Sequence, residues 1–205
     1  MGNATKDMLK EFHGDRKGIR GFTLIELLVS LVIGLVVLYG LYDLFTFQQK
    51  TYSVQERVVE MQQSARAAMD MMETELCMAG YNPANLSSTG ITSASANSIT
   101  FKQDLDGNGN VTGTNENITY SYDSGSMRIT RNAGSGAVSL AENVEALNFS
   151  YYDANGATTA TPANIKKIKI AMRSRTSRQD PAYGTNNGYR TFMLSCFVIP
   201  RNLDY

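Results

Sequence analysis

Glu26, a group of four oxygen-bearing side chains and two cysteines are the residues here whose types and spacing suit particular chemistry. Glu26 lies five residues past Gly21, near the head of an apolar run from Phe22 to Tyr42. A carboxylate in hydrocarbon is strongly penalised unless a positive charge meets it, so its chemistry is ion pairing in a medium of low dielectric. Asp104, Asp106, Asn108 and Asn110 occupy alternate positions of Asp104-Leu105-Asp106-Gly107-Asn108-Gly109-Asn110-Val111. Oxygen ligands in that order, with a glycine for the sharp turn, suit Ca2+. Cys77 and Cys196 are the only cysteines, one near the end of a helical pattern and one in the last strand-like segment.

The loop and the cysteines also have plainer readings. A complete Ca2+ loop of this kind carries a bidentate glutamate at its twelfth position. Here that position is Asn115, Glu116 falls one place later, and the flanking segments are strand-like. A polar turn is therefore the first reading and Ca2+ the second. Outside the cytoplasm, Cys77 and Cys196 permit a disulfide of roughly 2–4 kcal/mol tying the helix end to the last strand. Two separate buried thiols are the alternative.

Catalysis finds little footing. His13 is the sole histidine, and residues 22–205 hold none. That removes histidine-activated nucleophiles and ordinary histidine zinc sites from this stretch. No phosphate-binding glycine loop opens a helix, and no spacing singles out an acid–base pair. The chain is not expected to be an enzyme, nor to carry a cofactor beyond the Ca2+ reading.

The elements that must position these residues follow from pattern. Residues 1–21 hold five of the 19 basic and three of the 19 acidic residues, leaving 14 and 16 beyond them. A near-neutral remainder argues against broad nucleic-acid binding, because phosphate neutralisation needs many cations. The basic excess of the leader places it in the cytoplasm, with everything after the apolar run outside. Phe22 to Tyr42 is 21 residues, about the ~20 that cross a bilayer core. Beyond it Val54, Val58, Met61, Ala65, Met69, Met72, Leu76 and Ala79 recur at helical spacing, one face of an amphipathic helix. Gly80, with Asn82-Pro83 behind it, stops the helix.

One long helix over 22–80 is thus expected, spanning the membrane at 22–42 and amphipathic at 43–80. Residues 82–98 read as a loop. Strand-like segments follow at 99–102, 118–122, 127–131, 144–152, 167–173 and 191–199, with polar turns between them. Lys166, Lys167, Lys169, Arg173, Arg175 and Arg178 read as the solvated face of an edge strand, where lysines discourage pairing. The expected fold is α+β: a leader over 1–21, the helix, and a β-rich domain over 81–205 whose antiparallel strands pack on the helix.

Lys17-Gly18-Ile19-Arg20-Gly21-Phe22-Thr23-Leu24-Ile25-Glu26 resembles the processing site of type IV pilins and type II secretion pseudopilins. The resemblance implies cleavage between Gly21 and Phe22 by a prepilin peptidase, and N-methylation of Phe22. It also implies pairing of Glu26 with the Phe22 ammonium of a neighbouring subunit. Glu75-Leu76-Cys77-Met78-Ala79-Gly80-Tyr81 and Val144-Glu145-Ala146-Leu147-Asn148-Phe149-Ser150-Tyr151 resemble segments of minor pilins of the PilW type, with GspJ-type pseudopilins next. Such proteins are single-pass in the inner membrane before they reach a pilus at the cell surface. Their partners are the peptidase, other minor and major pilins and the inner-membrane assembly platform.

Overall fold

The computed structural model describes residues 21–85 and 89–203, so all but Gly21 of the leader expected over 1–21 lies outside the described residues. The chain divides into two units, Met1–Lys50 and Thr51–Tyr205. Helix α1, Leu24–Cys77, contributes to both.

In the first unit α1 starts at a capping box. The Glu26 N–H donates to Thr23 Oγ1 at 3.3 Å, and the Thr23 N–H donates back to Glu26 Oε2 at 3.4 Å. Two of the backbone donors that a helix start leaves unpaired are satisfied this way. From Gly21 to Lys50 only Gly34 and Thr46 are less than exposed. The hydroxyls of Ser30 and Thr46 turn back onto the carbonyls of Leu27 and Asp43, each at 2.9 Å. That return bond hides a hydroxyl on an otherwise apolar helix. Within the described residues this is the one helix long and apolar enough to cross a membrane.

In the second unit α1 buries Met61, Ala65, Ala68, Met69, Met72 and Leu76. This is the anticipated face with Ala68 added, while Val54 and Val58 are only half-buried. The helix gives way to a turn at Met78–Gly80. Gly80 has φ +84°, and a Cβ there would meet the Asn202 carbonyl oxygen at 2.7 Å. Only glycine accepts both constraints. The chain end approaches closely enough for the Arg201 N–H to reach the Cys77 carbonyl at 3.1 Å, satisfying one orphan acceptor of the helix.

Among the described residues, eight antiparallel strands make two sheets. β1 (Gly90–Ala94), β2 (Ser98–Lys102), β3 (Asn117–Asp123), β4 (Arg128–Asn132) and β5 (Ala137–Ala141) form a five-stranded meander. β6 (Val144–Tyr152), β7 (Lys167–Arg175) and β8 (Thr191–Val198) form a three-stranded one. One core holds Met69, Met72 and Leu76 of the helix with Ile99, Phe101, Ile118 and Tyr120 of one sheet and Phe149, Ile168 and Ile170 of the other. The sheets are stitched where the Phe149 N–H donates to the Ala96 carbonyl at 2.8 Å and the Tyr151 hydroxyl to the Ser95 carbonyl at 2.7 Å.

Three expectations need correction. Residues 82–98 are not all loop, since β1 lies inside them; its serine and threonine content and the register shift between Ile91 and Ser93 hide the alternation that marks a strand. The edge strand β5 also went unread, being short, mostly exposed and bounded by a glycine-rich turn. β7, which carries the lysines, is the central strand of its sheet, so those lysines guard no edge.

Candidate functional site

At the head of α1, Gly21, Phe22 and Glu26 are all exposed, Phe22 at 83 %. The Gly21–Phe22 peptide lies just before the helix start at Leu24, outside the helical segment. The cap gives Glu26 a role that the resemblance did not supply. The spacing Thr23-x-x-Glu26 was the readable signal for it.

The loop from Gln103 to Glu116 is held at its base. The Gln103 N–H donates to the Glu116 carbonyl at 2.9 Å, and the Asp104 N–H to the Tyr81 carbonyl at 2.8 Å. Asp104 and Glu116 are buried while Asp106 is exposed, and one carboxylate oxygen of each lies within 4.8 Å of the others. Asp104 accepts the Gly107 and Gly109 N–H groups at 2.9 and 3.2 Å. Glu116 accepts those of Leu105 at 3.2 Å and Gly113 at 2.6 Å. A Cβ on Gly113 would sit 2.5 Å from Glu116 Oε2, so a larger residue there would displace the carboxylate from this position.

Asn108 and Asn110 turn their amide oxygens onto the N–H groups of Asn110 and Thr112, at 2.9 and 3.0 Å. The structure thus joins Asp104 and Asp106 with Glu116, the residue that the spacing rule set aside, and leaves the two asparagines shaping the turn. Among the described residues no lysine or arginine forms an ion pair with this trio. An all-oxygen set of three carboxylates, two of them buried, fits a hard cation such as Ca2+.

The same loop is fastened to the core by Arg131. Its guanidinium grips Glu75 of α1, Nε at 3.1 and 3.0 Å from the two carboxylate oxygens and Nη2 at 2.7 Å from Oε1, and Nη2 reaches Asn115 Oδ1 at 2.7 Å. The Tyr120 hydroxyl donates a short hydrogen bond to Glu75 Oε2. The bond to Glu75 raises the Arg131 pKa, and burial followed by Glu75 raises that of the Tyr120 phenol. The trio spans helix and sheet, so no sequence spacing announces it.

Cys77 and Cys196 are free thiols. In place of the bridge that the sequence permits, Cys196 Sγ faces Met69 Sδ at 3.3 Å, about two helix turns before Cys77. Burial pushes the Cys196 thiol up to about 11 and raises that of Cys77 as well.

Residues 16–42 match the prokaryotic N-terminal methylation motif. Residues 55–187 match the family described as prepilin peptidase-dependent protein B, which is well over half of the chain. The chain belongs to the prepilin peptidase-dependent protein B family. It is therefore a type IV pilin-like protein, a structural protein and not an enzyme, anchored through its apolar helix, with the peptidase and other pilins as partners. A type IV-like pilin from Thermus thermophilus is similar at 16% identity, with a TM-score of 0.46 over 70% of this chain and 98% of that one. No curated protein matches.

Proposed function

We propose that this family member is a minor pilin of a type IV pilus. The peptidase cleaves it between Gly21 and Phe22, the new Phe22 amine is methylated, and the product enters the filament or primes and caps its assembly. The observation that carries this reading is the Gly21–Phe22 junction followed by Glu26 at the head of an exposed apolar helix. A helix so apolar needs either lipid or other such helices around it, and a filament core offers the second. Lys6, Lys10, Arg16, Lys17 and Arg20 hold the leader inside, which puts the β-rich domain outside the inner membrane and in reach of the assembly platform. Proteomics of sheared pili, with the terminal residue identified, is expected to find the chain beginning at methylated Phe22. Its absence from pili together with loss of protein export on deletion would instead assign a GspJ-type pseudopilin.

We further propose that Asp104, Asp106 and Glu116 hold Ca2+. The cation would neutralise carboxylates that otherwise repel one another. Melting the full chain in detergent should show a higher Tm in Ca2+ than in chelator, with ~2.7 kcal/mol gained at a hundredfold excess over Kd. Asp106→Ala should lose most of that rise; identical melting in both buffers would remove the cation from this account.

A further inference from the structure

β8 is an outer strand and, among the described residues, pairs only with β7. Among the described residues no backbone group outside β7 bonds to Thr191–Val198. The opposite edge of this sheet is occupied, because the N–H groups of Phe149 and Val144 on β6 donate to the carbonyls of Ala96 and Met127 at 2.8 and 3.0 Å. Soluble proteins usually blunt a free edge with charge, proline or a bulge. β8 has none of these: Thr-Phe-Met-Leu-Ser-Cys-Phe-Val carries no charged residue or proline, and its register with β7 runs without a shift.

Its outward residues are apolar and open, Met193 at 75 % and Phe197 at 56 % exposure, and Ile199 continues the row. Even the inward Phe192, Leu194 and Cys196 are only half-buried, as at a rim. Beside this row stand two lysines of β7. Lys167 Nζ and Lys169 Nζ lie 5.2 and 5.8 Å from the centre of the Phe197 ring, and Lys167 Nζ is also 5.2 Å from the Tyr152 ring of β6, so both cations stand on the sheet face that carries Phe197. Neither pairs with a carboxylate among the described residues, whereas Arg173 is engaged by Glu145 at 2.9 Å.

We propose that the free edge of β8 takes up an extended segment of another protein as a fourth strand, with apolar and acidic side chains alternating along it. Main-chain bonds to the edge supply affinity, and the outward row with its lysines supplies selection. The lysines favour a carboxylate-bearing partner over a second copy of β8, which has no carboxylate to bring. The proposal rests on this edge and holds for a pilus or a secretion pseudopilus alike.

The test uses the full-length protein in detergent micelles and a fluorescein-labelled peptide as long as β8 that alternates valine with glutamate. Saturable binding is expected, weakened at least roughly tenfold by each of three changes. These are lysine for glutamate in the peptide, N-methylation of its alternate amides, and Met193→Glu in the protein, whose unchanged melting shows that it still folds. Equal binding of the lysine or N-methylated peptide overturns the proposal, as does absence of binding up to ~1 mM. Self-association of the full chain that Met193→Glu abolishes assigns the edge to a second copy and overturns the acidic partner.

Discussion

Glu26 has two separable duties, and conservative substitutions tell them apart. As the closing residue of a capping box it binds the Thr23 N–H; as a carboxylate it is the proposed partner of a neighbouring Phe22 ammonium. Glutamine keeps the cap and removes the charge. We therefore expect Glu26→Gln and Glu26→Ala both to be cleaved and inserted, and both to be poorly incorporated into sheared filaments. Normal incorporation of the glutamine variant would leave Glu26 a cap alone. The cysteines offer a second test at this scale. A thiol whose pKa is raised by burial ionises only at higher pH and reacts slowly. Iodoacetamide near neutral pH should label native Cys196 far more slowly than the unfolded chain, and the native rate should go on rising from about pH 9 to about 11. Failure of the unfolded, unreduced protein to label would mean that the thiols are bridged in the purified protein.

Between elements, the Glu75–Arg131–Tyr120 trio is the chief polar link from α1 to the five-stranded sheet, and it also steadies the acidic loop through Asn115. Glu75→Ala strands a guanidinium and a phenol at the helix–sheet boundary. Loss of one partner of a buried pair costs about 3–5 kcal/mol; Glu75 and Arg131 each keep nearly a fifth of their surface in water, so about 2 kcal/mol is expected from chemical denaturation. The alkaline limb of stability has a sign fixed by the same core. Tyr120, Tyr151 and Cys196 all have folded-state pKa values above their ordinary ones, mainly through burial. The unfolded chain then ionises first, so their contribution is complete below about pH 9 and is lost progressively as pH rises towards 11. Cys196→Ala should make that decline shallower, as read by midpoints of urea unfolding at fixed pH. None of this was legible beforehand. Glu75, Tyr120 and Arg131 are far apart in the chain, and only register brings Tyr120 opposite Arg131.

At the scale of the whole molecule, every buried hydrophobic residue of the described core lies at Met61 or beyond. A fragment over 51–205 should therefore fold by itself and unfold cooperatively on heating, followed by circular dichroism. A fragment without a cooperative transition would show that the apolar segment belongs to the folding unit. The long helix, its stop at Gly80, the Gly21–Phe22–Glu26 head and six of the eight strands were readable from local pattern. Each is set by interactions within a few residues: helical or alternating periodicity, a cap, a breaker. β1 and β5 were not readable, because short polar edge strands owe their state to neighbours. The strand order was not readable either. It moved the lysines from an edge to the centre and left β8 bare, since pairing between strands is a long-range choice. Glu116 joined Asp104 and Asp106 for the same reason: a loop closed by backbone bonds at its base overrides a spacing rule written for helices. The sequence by itself determined that this is a substrate of the pilin machinery, through motifs that act in extended or helical form. The tertiary structure alone decided which carboxylates meet, which sulfur faces which neighbour, and which strand edge stays open.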